Sequence, residues 1–159
     1  MNKALVVYET LFGNTRMIAR AIGDGLTEHG VVDVLDVREA SPAIDGEVDI
    51  LVVGGPTHQL GMTRHASRRE VAEQYPDAPQ PAEVGLREWL ADVRAPDGCM
   101  AAAFDTRFAR PWILRVLGHA NQSEQKALVG RGLRIIAPPA QFLVLDAIGP
   151  PASGEIDRA

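Results

Sequence analysis

Short apolar runs alternate along the chain with longer segments in which apolar residues recur at every third or fourth position. The first run, at residues 4–8, is apolar throughout, which is typical of a strand buried on both faces of a parallel sheet. The segment after it, residues 14–29, has the periodicity of an amphipathic helix and ends at Gly30. The chain is therefore predicted to begin with a strand and a helix.

The same alternation continues through the rest of the sequence. Further strands are predicted at residues 31–37, 48–53 and 100–104, and a fifth at 133–137 and 142–145, interrupted at Pro138-Pro139. Helices are predicted at 82–93 and 121–130, and the polar segment 63–81 is predicted as a surface excursion with a helix around 68–74. The helix at 121–130 begins with the pattern N-x-x-E, which predicts that Glu124 takes part in capping its start.

Alternating strands and helices predict an α/β doubly wound sheet of five parallel strands in the order 2-1-3-4-5, in a single domain over residues 1–159. Ligands of such sheets bind outside the carboxyl ends of the strands, where the strand order reverses. In this chain that place lies between the first and third strands. We therefore expect the functional residues in the ranges 9–15, 54–62 and 104–110.

Composition and charge argue against several classes of partner and site. The 159-residue chain has a formal net charge of −5, which argues against nucleic acid as a partner because phosphate backbones need a basic surface. No run approaches the ~20 apolar residues of a membrane span, and the N-terminus lacks a signal-peptide pattern, so a cytoplasmic protein is expected. Cys99, the only cysteine, is expected to be a buried thiol with no redox role. The four histidines lack metal-ligand spacing, so no metal site is predicted.

The loop from the first strand into the first helix contains hydroxyl side chains and a glycine. Thr10 and Thr15 offer donors, Gly13 allows the backbone to approach a ligand, and the helix begins at about Asn14. Free amide groups at a helix start form a phosphate cradle that needs no lysine. A plain strand-to-helix turn with Asn14 or Thr15 as the cap explains the same residues equally well.

Two further loops fall in the expected ranges. The third strand is closed by Gly54-Gly55-Pro56, which predicts a rigid turn, and His58 and Met62 follow where they could lie against a flat ring. The fourth strand is followed by a polar and aromatic segment, Phe104 to Phe108. Taken singly, His58 is equally a surface histidine, Met62 a core residue, and the last segment a solvated turn.

Together these segments resemble the flavodoxin family. The family's phosphate loop has the pattern T/S-x-T-G-x-T, and this chain has Thr10-x-Phe12-Gly13-Asn14-Thr15. The family's second loop often begins with Pro-Thr and an aromatic residue, and this chain has Pro56-Thr57-His58. The resemblance implies an FMN cofactor and assigns its binding to Thr10, Leu11, Phe12, Gly13, Asn14, Thr15, Pro56, Thr57, His58, Gly61, Asp105, Thr106 and Arg107.

The chain departs from the family pattern at several points. Phe12 replaces a phosphate-binding threonine, and His58 stands where many members carry a tryptophan. The segment at 104–108 lacks the tyrosine that usually stacks on the flavin, so Phe108 or Trp112 would have to supply that contact. The family's final helix is also predicted to be truncated here, which would leave one face of the sheet less covered.

Three functions follow from the resemblance. The first is an FMN-binding electron-transfer protein that exchanges electrons with redox partner proteins. The second is an FMN-dependent oxidoreductase acting on a quinone or a porphyrinogen, because the excursion at 63–81 could cover a small substrate. The third is a domain of the same fold that has lost its flavin.

Overall fold

Strands and helices alternate in the computed structural model, which describes residues 1–57, 61–76, 83–109 and 120–159. The strands are β1 (Lys3–Tyr8), β2 (Val31–Asp36), β3 (Ile50–Pro56), β4 (Met100–Phe108), β5 (Arg134–Ile135) and β6 (Ala140–Val144). The helices are α1 (Asn14–Leu26), α2 (His65–Gln74), α3 (Leu86–Asp92), α4 (Ala120–Gly130) and α5 (Glu155–Arg158), and a 3₁₀ turn, Thr27–His29, follows α1.

The sheet is parallel and its order is β2-β1-β3-β4, with β5 and β6 both pairing with the outer edge of β4. β5 pairs with the start of β4 at Met100 and Ala101, and β6 pairs with its end from Phe104 to Phe108. β5 and β6 thus share the fifth strand position, and Pro138 and Pro139 lie between them, where a residue without an N–H costs no ladder bond. The predicted fold class and the strand order 2-1-3-4-5 are confirmed.

Helices cover both faces of this sheet. α3 and α4 cover the face that carries Leu51, Val53 and Ala101, and α1 covers the face that carries Val6 and Val52. Successive side chains of a strand point to opposite faces, so the apolar runs of the central strands serve both cores. Among the described residues, no helix is long and apolar enough to cross a membrane.

The predicted end of the fourth strand is wrong. The segment 104–108 was expected to be a loop, but β4 continues through it to Phe108. Two neighbours pair with this polar segment: Asp105 lies opposite Gly55 of β3, and Thr106 lies opposite both Pro56 of β3 and Phe142 of β6. A polar strand end is stable here because its backbone groups are paired on both sides.

The predicted turn at Gly54-Gly55-Pro56 is likewise the end of a strand, β3. Gly54 is needed because the ring of Phe104 lies against it: a Cβ built on Gly54 would fall 2.2 Å from that ring. Gly54 therefore reflects close packing between β3 and β4 rather than a turn.

Helix boundaries differ from the predictions in the polar segments. α2 begins at His65, three residues before the predicted start, and α3 is Leu86–Asp92, so it begins four residues after the predicted start at 82. The prediction that Glu124 helps to cap α4 is wrong, because its side chain is fully buried and its oxygens have no hydrogen-bond partner among the described residues. The predicted burial of Cys99 is confirmed.

Candidate functional site

A pocket of about 200 Å³ lies at the carboxyl ends of β1, β3 and β4, and we call it the carboxyl-edge pocket. It is lined by Thr10, Leu11, Phe12, Asn14, Thr15, Pro56, Thr57, Val71, Gln74, Tyr75, Thr106, Arg107, Phe108, Val144 and Ala147. Its position is the one that the strand order predicts for a ligand of a doubly wound sheet.

The loop between β1 and α1 forms one wall of this pocket. Gly13 adopts a left-handed backbone, with φ of 99°, and its N–H donates to Thr10 Oγ1 at 2.9 Å. The first hydrogen bond of α1 runs from Met17 N to Gly13 O at 3.1 Å. The N–H groups of residues 14–16 therefore have no acceptor within the helix and stand at the positive end of its dipole.

Two side chains of this loop bond to other parts of the protein. The Asn14 amide donates to the carbonyl oxygens of Asp146 and Ala147, at 3.3 and 3.1 Å. The hydroxyls of Thr15 and Thr106 lie 2.8 Å apart and share a buried hydrogen bond. These contacts fix the loop against the ends of β4 and β6, and they leave the backbone amides and the Thr10 hydroxyl as the groups of this loop that could hold an anion.

The end of β3 forms the second wall. Thr57 N donates to Thr106 O at 2.8 Å, and the Thr57 hydroxyl donates to Asp105 Oδ2 at 2.9 Å. Pro56 and Thr57 both line the pocket, whereas Gly61 lies outside its lining. His58 falls outside the residues that the structure describes.

The end of β4 sends its side chains in two directions. Thr106 points to the face that α1 covers, where it meets Thr15. Asp105 is completely buried on the opposite face and lies outside the pocket lining. Arg107 lines the pocket, is only 8% exposed and donates a hydrogen bond to Gln141 Oε1 of β6.

Several pocket residues were not predicted. Val71, Gln74 and Tyr75 come from α2 and its end, so the excursion after β3 reaches the pocket. The rings of Tyr75 and Phe12 meet edge to face, with their centroids 5.1 Å apart. Phe12, which replaces a family threonine, thus belongs to an aromatic wall shared with α2. Phe108, one of the two residues expected to supply a ring contact, also lines the pocket, and Trp112 lies outside the described residues.

A fully partnered carboxylate lies beside the pocket, at the end of β1. Glu9 is 3% exposed, and its two oxygens accept from the Thr63 hydroxyl and from Leu86 N, the latter at 2.8 Å. The Arg68 guanidinium approaches Glu9 Oε1 to 3.9 Å. Burial raises the pKa of Glu9, and the two hydrogen bonds and the positive charge of Arg68 act against that rise.

Arg68 connects this carboxylate to both neighbouring helices. Its side chain is 1% exposed and donates to Thr63 Oγ1 at 3.0 Å, to Glu88 Oε2 at 3.0 Å and to the carbonyl of Glu83 at 3.1 Å. A Cβ built on Gly85 would lie 2.2 Å from Arg68 Nη1. The glycine at this position is therefore required by the packing of Arg68.

A second carboxylate, Glu124 of α4, is buried on the same face of the sheet. It is 0% exposed, and a Cβ built on Gly55 would lie 3.1 Å from its Oε1. Both of its oxygens lack a hydrogen-bond partner among the described residues. Burial, reinforced by the negative charges of Asp105 and Glu9, holds the pKa of Glu124 well above its usual range.

The fold and the pocket together define a class of protein. An open α/β sheet whose helix α1 starts with free amide groups, next to a pocket with apolar and aromatic walls, is the arrangement in which doubly wound proteins bind their ligands. Residues 6–81 match the family model described as Flavodoxin. This match confirms the resemblance to the flavodoxin family that is seen in the loops of the chain.

Solved structures agree on the fold across the rest of the chain. A flavodoxin from the domain Archaea has a TM-score of 0.65 at 22% identity, covering 98% of this chain and 90% of that one. A flavodoxin of Streptococcus pneumoniae has a TM-score of 0.61 at 18% identity, covering 98% and 91%. Both show the flavodoxin-like fold.

A relative is also found among curated proteins. An uncharacterised protein of Methanocaldococcus jannaschii is 36% identical over 66 residues, covering 38% of this chain. The match spans 17% of that relative's length.

Proposed function

We propose that this protein binds FMN in the carboxyl-edge pocket and acts as a cytoplasmic electron-transfer protein that exchanges electrons with redox partner proteins. The observation that carries the proposal is the meeting of two features in one pocket: free amide groups at the start of α1, and a wall of apolar and aromatic side chains beside them. An anionic group with a flat ring attached matches that combination.

The residues at the pocket suit the two ends of FMN. The N–H groups of residues 14–16 and the hydroxyl of Thr10 would hold the phosphate, and the left-handed Gly13 lets the backbone come close to it. Phe108 and Tyr75 offer aromatic surface for the ring. When bound, the flavin supplies the one- and two-electron chemistry, and the protein tunes its potential.

Absorbance spectroscopy tests the proposal directly. The purified protein is expected to show a flavin spectrum, or to acquire one on titration with FMN, and to bind riboflavin much more weakly because riboflavin leaves the phosphate donors unpaired. Absence of FMN binding would overturn the proposal in favour of a domain of this fold without flavin.

Two glycine variants locate the site. Gly13→Val is expected to abolish FMN binding, because a branched side chain blocks the approach to the loop and strains its left-handed backbone. Gly154→Val is the matched control: Gly154 has a similar φ of 81° and precedes α5, outside the pocket lining. If Gly13→Val binds FMN as tightly as wild type, the phosphate is held elsewhere.

Arg107 gives a test of the redox role. Its guanidinium at the pocket would stabilise negative charge gained there on reduction, by on the order of 1–2 kcal/mol at an intermediate dielectric. Arg107→Gln is therefore expected to lower the reduction potential of the bound FMN, as measured by stepwise reduction in a spectroelectrochemical cell. An unchanged or raised potential with FMN fully bound would remove Arg107 from the site.

A second candidate function is an FMN-dependent oxidoreductase acting on a small quinone-like or porphyrinogen substrate. The observation that favours it is the reach of α2 into the pocket through Val71, Gln74 and Tyr75, since a segment placed there can contact a substrate as well as the cofactor. Turnover of a quinone with a nicotinamide cofactor, without an added reductase, would select this function over that of a carrier.

A further inference from the structure

Glu124 is a buried acid for which the described residues supply no group that would stabilise a negative charge. Its side chain is 0% exposed, and neither oxygen has a hydrogen-bond partner within the described ranges. An ionised carboxylate in such a place would keep neither water nor a donor, which costs several kcal/mol. The neutral, protonated acid avoids that cost.

The elements packed against α4 add negative charge near Glu124 and little that offsets it. α4 packs against β3, β4, β5 and α3. β4 contributes Asp105, and the residue after β1 is Glu9; both negative charges raise the pKa of Glu124. β3 contributes Gly55, which has no side chain to donate a hydrogen bond.

Four arginines on these elements and on neighbouring α2 are engaged in contacts of their own. Arg68 bonds to Thr63 and Glu88, Arg87 to the carbonyls of Met62 and Thr63, Arg107 to Gln141, and Arg134 to Met100 at the exposed edge of the sheet. Among the described residues, the charges that act on the Glu124 carboxyl are therefore those of Asp105 and Glu9, and both are negative.

Asp105 links this buried acid to the carboxyl-edge pocket. It lies on the same face of the sheet as Gly55, its register partner on β3, against which the Glu124 carboxyl packs. On its other side it accepts a hydrogen bond from the hydroxyl of Thr57, which lines the pocket. From the interior of the protein towards the pocket, the side chains follow in the order Glu124, Asp105 and Thr57, and Thr57 borders the space for a ligand.

We propose that Glu124 is a proton-holding residue beneath the carboxyl-edge pocket, coupled through Asp105 and Thr57 to charge in that pocket. Glu124 contacts neither the pocket nor its ligand, so it is a positioning residue that acts on the ligand only through its state of protonation. Negative charge brought into the pocket strengthens the hold of Glu124 on its proton, and loss of the proton weakens the binding of an anion. The part that concerns FMN rests on the proposed function, whereas the proton on Glu124 does not.

The first experiment uses the protein without ligand. The infrared carbonyl band of a protonated carboxyl is followed with pH in wild type, in Glu124→Gln, and in Glu28→Gln, which removes an exposed carboxylate. A band present in wild type and in Glu28→Gln but missing from Glu124→Gln, and persisting well above pH 4.5, is the expected result. Identical spectra of wild type and Glu124→Gln at about pH 6 would overturn the proposal, since an ordinary glutamate is ionised there.

The free energy of unfolding gives a second readout with a definite sign. The pKa of Glu124 is raised in the fold, so the folded protein keeps a proton that the unfolded chain releases near pH 4.5. Wild type therefore loses stability from this group as the pH rises from that value through the folded pKa. Glu124→Gln lacks that loss, so its stability relative to wild type is expected to increase across this window, and a difference constant with pH would contradict the proposal.

The coupling is tested with Asp105→Asn and then with FMN. Removing the charge of Asp105 is expected to move the infrared titration of Glu124 to lower pH, and an unmoved titration would overturn the coupling. Calorimetry is done at the pH where half of Glu124 is ionised in the infrared titration, in two buffers of different ionisation enthalpy. FMN binding is then expected to cause more proton uptake in wild type than in Glu124→Gln, and this difference excludes the titration of the phosphate itself. Equal uptake would overturn the link to the pocket, and absence of FMN binding would overturn the proposed function while the ligand-free titration still decides the proton on Glu124.

Discussion

Glu9 and Glu124 are buried side by side on one face of the sheet, yet their surroundings have little in common. Glu9 accepts hydrogen bonds from Thr63 and Leu86 and has the Arg68 guanidinium within 3.9 Å. Glu124 lies against Gly55 with neither a donor nor a cation on its oxygens among the described residues. Burial alone therefore does not say what a carboxyl group does in this protein.

The difference follows from where the partners come from. The partners of Glu9 belong to α2, to α3 and to the residues that precede these helices, so Glu9 and Arg68 attach the excursion after β3 to the sheet. That attachment positions α2 where its last turn reaches the carboxyl-edge pocket. Among the described residues, Glu124 attaches no other segment, because it meets the bare backbone of β3 and the acidic Asp105. One carboxylate organises structure, and the other is available to hold a proton.

Removing Arg68 should have the largest effect on stability, because it removes the cation that Glu9 has and that Glu124 lacks among the described residues. Arg68→Met keeps most of the side-chain volume but leaves Glu9 buried without its cation, and we expect a loss of about 3–5 kcal/mol in the free energy of unfolding. Urea denaturation followed by circular dichroism measures it. Arg69→Met is the control: Arg69 is 72% exposed and should cost less than about 0.5 kcal/mol.

A double variant separates charge from packing at the same site. If the uncompensated charge of Glu9 causes most of the loss, Glu9→Gln combined with Arg68→Met should recover part of the stability lost in Arg68→Met alone. Strictly additive losses would show that Arg68 stabilises the protein through its other partners, Glu88 and the carbonyl of Glu83.

The same small substitution at two glycines should sharpen the comparison further. A Cβ at Gly85 would lie 2.2 Å from Arg68 Nη1 and 2.8 Å from Glu9 Oε2, whereas one at Gly55 would lie 3.1 Å from Glu124 Oε1. Arg68 is held by several partners and cannot yield, but the carboxyl of Glu124 can move. Gly85→Ala is therefore expected to cost about 2–3 kcal/mol and Gly55→Ala about 1 kcal/mol, by thermal or urea unfolding. Equal costs would mean that Glu124 is held as firmly as Glu9.

The fold could be predicted from the sequence because its signals are local. The runs at 4–8 and 50–53 are apolar on both faces, Gly30 ends the first helical segment, and Pro138 and Pro139 mark the break in the fifth strand position. The loop at Thr10–Thr15 could be placed for the same reason, since the start of a helix after a buried strand lies at the ligand edge of a doubly wound sheet.

The features that escaped prediction depend on partners far away in the chain. The polar residues at 104–108 predicted a loop, because the sequence of that segment alone does not show that β4 pairs there with β3 and β6. Glu124 fits a local capping pattern, and only the packing of α4 on the sheet shows that it is buried. Tyr75 lines the pocket because the contact between Arg68 and Glu9 fixes α2 in place, and these two residues lie about sixty positions apart in the chain.

The smallest effect is expected from Thr57, which connects the pocket to Asp105. Thr57→Val removes the hydroxyl that donates to Asp105 at 2.9 Å and should cost about 1 kcal/mol in stability. The more informative result is electrostatic: with one donor fewer, the charge of Asp105 acts more strongly on its surroundings, so the infrared titration of Glu124 should move to higher pH. Thr57→Ser keeps the hydroxyl and should leave that titration in place. If Thr57→Val loses stability while the titration of Glu124 stays unchanged, the hydrogen bond stabilises the end of β3 but carries no signal from the pocket to the buried acid.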